Sequence, residues 1–252
     1  MQVKAKKKFG QNFLIDESVL SRIFEATPKE ATNIVEIGGG LGYLTQWLLK
    51  TKANVGCFEI DPELVVILQD KFQEQINSRQ LTIFSADVLT CWEKLGGNGE
   101  YVLVANLPYY VATNIILRAL QDEKCTHLVV MIQKEVAQKF AAASGEREFC
   151  ALSVLARLVS TPKILFDVPA AAFNPPPKVT SSVIEFDKTC STPQTLDLVK
   201  NEAFCSFLRK AFSAPRKKVL NNLNLKEISY IPQNARPHEL CVNDYLKLFK
   251  GL

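Results

Sequence analysis

The residues with the clearest chemical potential are Asn106-Leu107-Pro108-Tyr109-Tyr110, which follow the apolar run Tyr101-Val102-Leu103-Val104-Ala105. Such a run reads as a strand buried on both faces, and in open α/β sheets ligands bind beyond the carboxyl ends of the strands. The Asn106 side chain offers an amide oxygen. Pro108 keeps Leu107 out of the α region, so the Leu107 carbonyl has no helical role. Two acceptors can then converge on one NH2 group, and Tyr109 adds a flat face for a base, a contact worth about 1–3 kcal/mol. That set suits the exocyclic amine of a nucleobase. A plain strand-end turn fits the same residues, because Asn and Pro favour turns, and the stretches upstream decide between the two.

Upstream, Asn33-Ile34-Val35-Glu36-Ile37 runs into Gly38-Gly39-Gly40-Leu41-Gly42 and then into a helical stretch, Tyr43 to Lys50. Strand, glycine loop and helix in that order let a backbone approach a ligand closely. The spacing G-x-G-x-G departs from the dinucleotide fingerprint G-x-G-x-x-G, and Glu36 would repel a pyrophosphate. A carboxylate attracts a sulfonium or ammonium group instead, so the loop suits an uncharged or cationic nucleoside ligand. Glu59, near the end of a second strand over Asn54 to Ile60, stands where an acid holds ribose hydroxyls. Asp61 reads as the N-cap of the next helix, with Pro62 at its first position. Asp87, after a third strand over Leu81 to Phe84, can accept from an adenine amino group or be an ordinary loop aspartate. Phe173, ahead of the stiff Pro175-Pro176-Pro177, can face Tyr109 across a base; for a lone aromatic a place in the core is the simpler account. Gln11-Asn12 fits a lid or the approach to a helix, and sequence physics alone favours the approach.

Positioning these residues takes alternating strands and helices. Val111 to Leu120 reads as a helix, Leu128 to Ile132 as a fifth strand, Lys134 to Ala143 and Phe149 to Val159 as helices, and Lys163 to Val168 and Val179 to Phe186 as strands. Lys188 to Gln194 looks like a linker. Beyond it the apolar period is helical, with Leu196, Val199, Ala203, Phe204, Phe207, Leu208 and Ala211 on one face. The expected organisation is an α/β domain over residues 1–187 and a small basic helical domain over residues 188–252.

Composition narrows the function classes. No apolar run approaches the ~20 residues of a membrane span, and no signal-peptide core follows the lysine-rich start. A cytosolic location, without a membrane partner, is expected. The seven cysteines show no close pairing, so neither a disulfide framework nor a zinc site is expected. His127 and His238 read as structural, which leaves metal-assisted hydrolysis and histidine-activated nucleophiles unsupported. The net charge of +4 is unevenly spread: Lys4, Lys6, Lys7 and Lys8 crowd the start, and Arg209, Lys210, Arg216, Lys217, Lys218 and Lys226 lie in a stretch with no acid between Glu202 and Glu227. Two basic patches fit a polyanion partner, or two solvated faces.

Taken together, several stretches resemble one family, the S-adenosylmethionine-dependent ribosomal-RNA adenine N6,N6-dimethyltransferases, in the small-subunit (16S) branch linked to kasugamycin sensitivity. They are Lys8-Phe9-Gly10-Gln11-Asn12-Phe13-Leu14, Glu36-Ile37-Gly38 with Gly40 and Gly42, Glu59-Ile60-Asp61, Ala86-Asp87-Val88-Leu89, Asn106 to Tyr110, Phe173 to Val179 with Ser181 and Val183, and Arg236-Pro237-His238-Glu239-Leu240. The resemblance implies a Rossmann-like class I methyltransferase fold, α/β with a mostly parallel sheet, plus a small C-terminal helical domain. It implies S-adenosyl-L-methionine as cofactor, held by Asn12, Leu14, Gly38, Gly40, Glu59, Asp87 and Asn106. Asn106 and Leu107 would take the target amine, and Tyr109 and Phe173 would sandwich its base. The partner would be 16S rRNA within the immature 30S subunit, met by a monomer without metal through Lys6, Lys7, Lys8, Lys178, Arg209, Lys210, Arg216, Lys217 and Lys218. A large-subunit (23S) rRNA dimethyltransferase and a ribosome-assembly factor with dispensable catalysis are the alternatives. The chain departs from the family at Gly39, where proline is usual, and at Ala214-Pro215-Arg216-Lys217, where Gln-Arg-Arg-Lys is frequent.

Overall fold

The computed structural model describes Lys6 and residues 10–97 and 99–251; Lys7 and Lys8, two of the expected RNA contacts, lie outside the described residues, as does Lys4. The chain opens with β1 (Phe13–Leu14), α1 (Glu17–Ala26), β2 (Asn33–Ile37), α2 (Tyr43–Leu48), β3 (Asn54–Glu59), α3 (Pro62–Lys71), α4 (Gln73–Asn77) and β4 (Leu81–Ser85). It continues with β5 (Tyr101–Asn106), α5 (Ala112–Gln121), β6 (Cys125–Gln133), α6 (Lys134–Ala141), α7 (Ala151–Val159), β7 (Thr161–Val168), β8 (Phe173–Asn174) and β9 (Ser181–Asp187). Four helices follow: α8 (Pro193–Lys200), α9 (Glu202–Ala211), α10 (Val219–Leu223) and α11 (Val242–Lys250).

Seven strands form one sheet in the order β4-β3-β2-β5-β6-β9-β7. The first five run parallel, and β9 and β7 extend the sheet antiparallel beyond β6. The expected α/β fold with a mostly parallel sheet is therefore present. Strand β6 is longer than the Leu128 to Ile132 core suggested, because pairing with β5 on one side and β9 on the other satisfies its flanking backbone groups.

The topology selects the ligand site. From β2 the chain winds outward through β3 to β4, whereas β5 and β6 lie on the other side of β2. The crevice beyond the carboxyl ends of β2 and β5 is thus the topological switch point, where open α/β sheets bind ligands. Those two ends carry Glu36-Ile37-Gly38 and Asn106.

Side chains alternate across the pleat. Val35, Leu103, Ala105, Leu128, Val130 and Ile132 face one apolar core, and Ile34, Val55, Val102, Val104, Val129 and Met131 face the other. The first core runs on into Phe204, Phe207, Leu208, Val219, Leu220, Tyr245 and Leu248, so the C-terminal helices share it with the sheet. Lys188 was expected in a linker, yet it is only 3% exposed and its Nζ donates to the Ala119 and Asp122 carbonyls at 2.8 and 2.6 Å. The C-terminal end of α5 presents unpaired carbonyls, and an ammonium group satisfies them.

Candidate active site

The carboxyl ends of β2, β3, β4 and β5, with the segment Gly10 to Leu14, deliver the site. Strand β2 ends in the glycine loop, in which Gly38 donates its N–H to the Phe58 carbonyl at 2.8 Å and takes a φ of +80°. A Cβ at Gly38 would stand 3.7 Å from the Asn106 carbonyl oxygen, so the ends of β2 and β5 approach each other closely here. At Gly39 an added Cβ would fall 2.4 Å from the Cys57 Sγ and 3.0 Å from a Leu68 methyl. That overlap gives the departure from proline at position 39 a physical reason: Cys57 fills the space beneath the loop.

Glu36 points to the same side of β2 as Ile34. It is 1% exposed and lines the cavity. Thr45 donates its hydroxyl to Glu36 Oε2 at 2.6 Å, while Oε1 has no hydrogen-bond partner among the described residues. Burial pushes the Glu36 carboxyl up to about 7, against the opposing effect of the Thr45 and Cys57 hydrogen bonds. A buried acceptor without a donor is costly unless a ligand supplies one. Glu59, at the end of β3, is held on both oxygens: Gly40 N–H donates to Oε2 and Asp61 N–H to Oε1, each at 2.9 Å. Burial raises its pKa, and those N–H groups oppose the rise. Asp87, beyond β4, lines the cavity while accepting the Leu89 N–H at 2.9 Å in the manner of a turn cap.

Asn106 closes β5. Its Nδ2 donates to the Asn12 carbonyl at 3.2 Å, which commits the donor end of the amide to the protein and leaves the oxygen as the end for a ligand. Leu107 is buried with its N–H on the Met131 carbonyl at 3.1 Å, and it lines the cavity beside Asn106. Tyr109 lines the cavity too, and its hydroxyl lies 2.7 Å from Ser181 Oγ, a hydrogen bond that fixes one edge of the ring.

Gly10 to Leu14 form the remaining wall of the cavity, the place a lid would take, before the chain enters α1. Three ties pin this segment. Asn12 accepts from Asn106, β1 pairs antiparallel with β8 through Phe13↔Asn174 and Leu14↔Phe173, and Gln11 Nε2 donates to Asp61 Oδ2 at 2.9 Å. Asp61 is the expected N-cap of α3, accepting the Glu63 N–H at 3.2 Å, but its carboxylate also receives Lys6 Nζ at 2.8 Å. Sequence reasoning missed this clamp because capping alone accounts for an aspartate before proline; a signal lay in the Lys6 and Gln11 donors upstream.

Two residues depart from their expected places. Phe173 does not line the cavity. It is 3% exposed, sits in the core cluster of Leu14, Val168 and Val183, and is fixed by the pairing of β8 with β1, as the simpler account held. Lys6, expected at RNA, has its ammonium on Asp61 and on Glu63 at 2.9 Å, which holds its pKa up. By contrast Lys178, Arg209, Lys210, Arg216 and Lys217 are exposed, Lys218 is half-buried, and none of the six has an ion pair among the described residues.

The cavity fits a nucleoside sulfonium. A Cβ at Gly38 would meet only the Asn106 carbonyl oxygen, at 3.7 Å, Glu36 Oε1 has no hydrogen-bond partner among the described residues and can take a cation or donor, and Glu59 lines the same cavity. Among the described residues no group of three His, Cys, Asp or Glu side chains could hold a metal ion.

The chain is similar to the Ribosomal RNA small subunit methyltransferase A of Campylobacter fetus subsp. fetus, 52% identical over 258 residues, covering 98% of this chain and 95% of that protein. It is similar to the protein of the same name from Aliarcobacter butzleri, 45% identical over 98% of this chain and 96% of that one. The fold matches a dimethyladenosine transferase from Plasmodium falciparum, with a TM-score of 0.76 at 24% identity, over 94% of this chain and 95% of the other. It also matches the 23S rRNA methyltransferase ErmE, with a TM-score of 0.75 at 22% identity over 95% of this chain and 98% of that one. The family described as ribosomal RNA adenine dimethylase matches residues 2–246, and the chain belongs to that family.

Proposed function

We propose that this enzyme transfers methyl groups from S-adenosylmethionine to the N6 amines of two adjacent adenosines in a 16S rRNA hairpin, two per base, during maturation of the 30S subunit. The observation that supports it most is the Asn106 amide, whose donor end is tied to the Asn12 carbonyl and whose oxygen accepts no hydrogen bond among the described residues. S-adenosylmethionine is the methyl donor of this family, and when bound it supplies an electrophilic methyl group on a sulfonium.

The protein's own residues supply the rest. Glu59 takes the ribose hydroxyls, Asp87 the cofactor's adenine amino group, and Gly38 and Gly40 let the backbone come close to the ligand. Asn12 and Leu14 cover it. An adenine N6 lone pair is delocalised into the ring and is a weak nucleophile. Acceptance of both N6 hydrogens by the Asn106 side-chain oxygen and the Leu107 carbonyl favours a pyramidal nitrogen with its lone pair free to attack. That is stabilisation of the transition state by dipoles already in place. Tyr109 supports one face of the base, and the target leaves its stack to reach the cavity, which favours a loop adenosine. Residues 188–252 would serve as the rRNA-contacting helical region, through Arg209, Lys210, Arg216, Lys217 and Lys218, with Lys178 adjoining.

The test is methyl transfer from labelled cofactor to immature 30S particles, mature 30S, 50S and naked rRNA, with the modified base identified by mass. Dimethyladenosine in the immature small-subunit particle is the expected result. Transfer to large-subunit RNA alone would assign the enzyme to the 23S branch, and cofactor binding without transfer would favour an assembly factor.

A further inference from the structure

The apolar side chain that stands out most from the surface is Tyr110, 62% exposed. Burying aromatic area is favourable, so a ring left in water at the rim of a cavity brings the fold no return. Its position is also specific. Tyr110 lines the same cavity as Asn106 and Tyr109, and Gly10 of the lid lies against one edge of the ring, where an added Cβ would be 3.4 Å from Cδ1. Gly10 takes a φ of +60°, so the lid passes the ring at a residue with no side chain to cover it. Tyr109 is anchored through its hydroxyl to Ser181, whereas no hydrogen bond to Tyr110 occurs among the described residues. Neighbouring tyrosines thus play different parts, one half-buried and fixed, the other a ring at the rim backed on one edge only.

We propose that Tyr110 is a stacking platform for the nucleotide flanking the target adenosine, and so a specificity-determining residue for the RNA. This rests on the reading of the cavity as an adenosine methylation site. A base extruded into the cavity strips its chain neighbour of a stacking partner, and an exposed aromatic ring at the mouth replaces that partner. Stacking on a ring tolerates any base, so Tyr110 selects for an unpaired neighbour rather than for a sequence.

The experiment compares the full chain with Tyr110→Phe and Tyr110→Ala. Methyl transfer to immature 30S particles is measured together with cofactor Kd. In parallel, the fluorescence of a 16S hairpin oligonucleotide carrying 2-aminopurine beside the target adenosine reports stacking directly. Tyr110→Ala should raise the KM for the particle about tenfold, within the range of one lost base–aromatic stack. It should leave cofactor Kd within twofold and abolish the quenching that the parent chain shows. Tyr110→Phe should behave as the parent, since the ring suffices. An unchanged KM in Tyr110→Ala overturns the proposal, as does a Tyr110→Phe as weak as Tyr110→Ala or a loss that appears in cofactor Kd instead. Failure of the parent chain to methylate any rRNA would overturn the proposed function, and this inference with it; an active parent with an indifferent Tyr110→Ala overturns only the inference.

Discussion

Asn106 and Glu36 present opposite electrostatic problems at the ends of neighbouring strands. Asn106 is a neutral dipole whose orientation is set by one donor contact to the Asn12 carbonyl. Replacing it with alanine removes the acceptor that the proposed mechanism places at the reacting nitrogen, for which losses of about 100-fold or more in kcat are usual. We expect Asn106→Ala to lose transfer by that factor and keep RNA affinity; equal loss of both would point to misfolding. Glu36 is a buried carboxyl with one oxygen, Oε1, that has no partner among the described residues. An unfolded glutamate titrates near 4.5 and the buried Glu36 is pushed up to about 7. Between those values the folded chain holds a proton that the unfolded chain has released. Stability is therefore greatest at the acid end of that window and falls as pH rises through it, by about 3 kcal/mol in all. Glu36→Gln should remove this slope in urea unfolding at pH 5 and pH 8 without cofactor, and should weaken cofactor binding. A slope equal to the parent's would remove Glu36 as its source. Both residues were legible from type and place, because strand-end chemistry is local. Phe173 was legible only as a choice between cavity and core, since its burial is decided by pairing with Leu14, far away in the chain.

Between residues and the whole lies the lid, an element almost without secondary structure of its own. Its two β1 residues pair with β8, Asn12 accepts from Asn106, and Lys6 and Gln11 both reach Asp61 at the start of α3. One carboxylate therefore caps a helix and holds the segment that walls the cavity. The two roles separate by substitution. Asparagine caps a helix about as well as aspartate, whereas alanine loses the cap at about 1 kcal/mol. Asp61→Asn should keep the thermal midpoint close to the parent's but loosen the lid, raising cofactor Kd several-fold as the Lys6 ion pair is lost. Asp61→Ala should show the same rise together with a lower midpoint. If Asp61→Asn binds cofactor as tightly as the parent, the clamp has no part in holding the ligand. The helix and its cap were readable in Asp61-Pro62, while the second role was hidden because its donors, Lys6 and Gln11, come from a segment 55 and 50 residues earlier.

For the molecule as a whole, the question is whether the C-terminal helices fold with the sheet. Alternation of strands and helices was visible along the chain, since each buried strand is a short apolar run and each helix keeps its own period. The joining of the two regions was not visible, because it depends on which faces meet. The Phe204 ring is fully buried, 5.1 Å from Phe249 and 6.1 Å from Phe207, in the core that also holds Leu103, Val130 and Ile132 of the sheet. Lys188 joins the regions a second time, at the end of α5. A shared core transmits a local loss to every element packed on it. Phe204→Ala should therefore cost about 3–5 kcal/mol, and the cost should register far from the substitution. Trp47 and Trp92, the two tryptophans, both lie in the α/β region. Their fluorescence and the helical circular dichroism should follow one coincident urea transition in the parent chain and in Phe204→Ala, with both midpoints lowered equally in the variant. A helical signal that fell first, with tryptophan emission unmoved, would show residues 188–252 unfolding alone and would make them a separate cooperative unit.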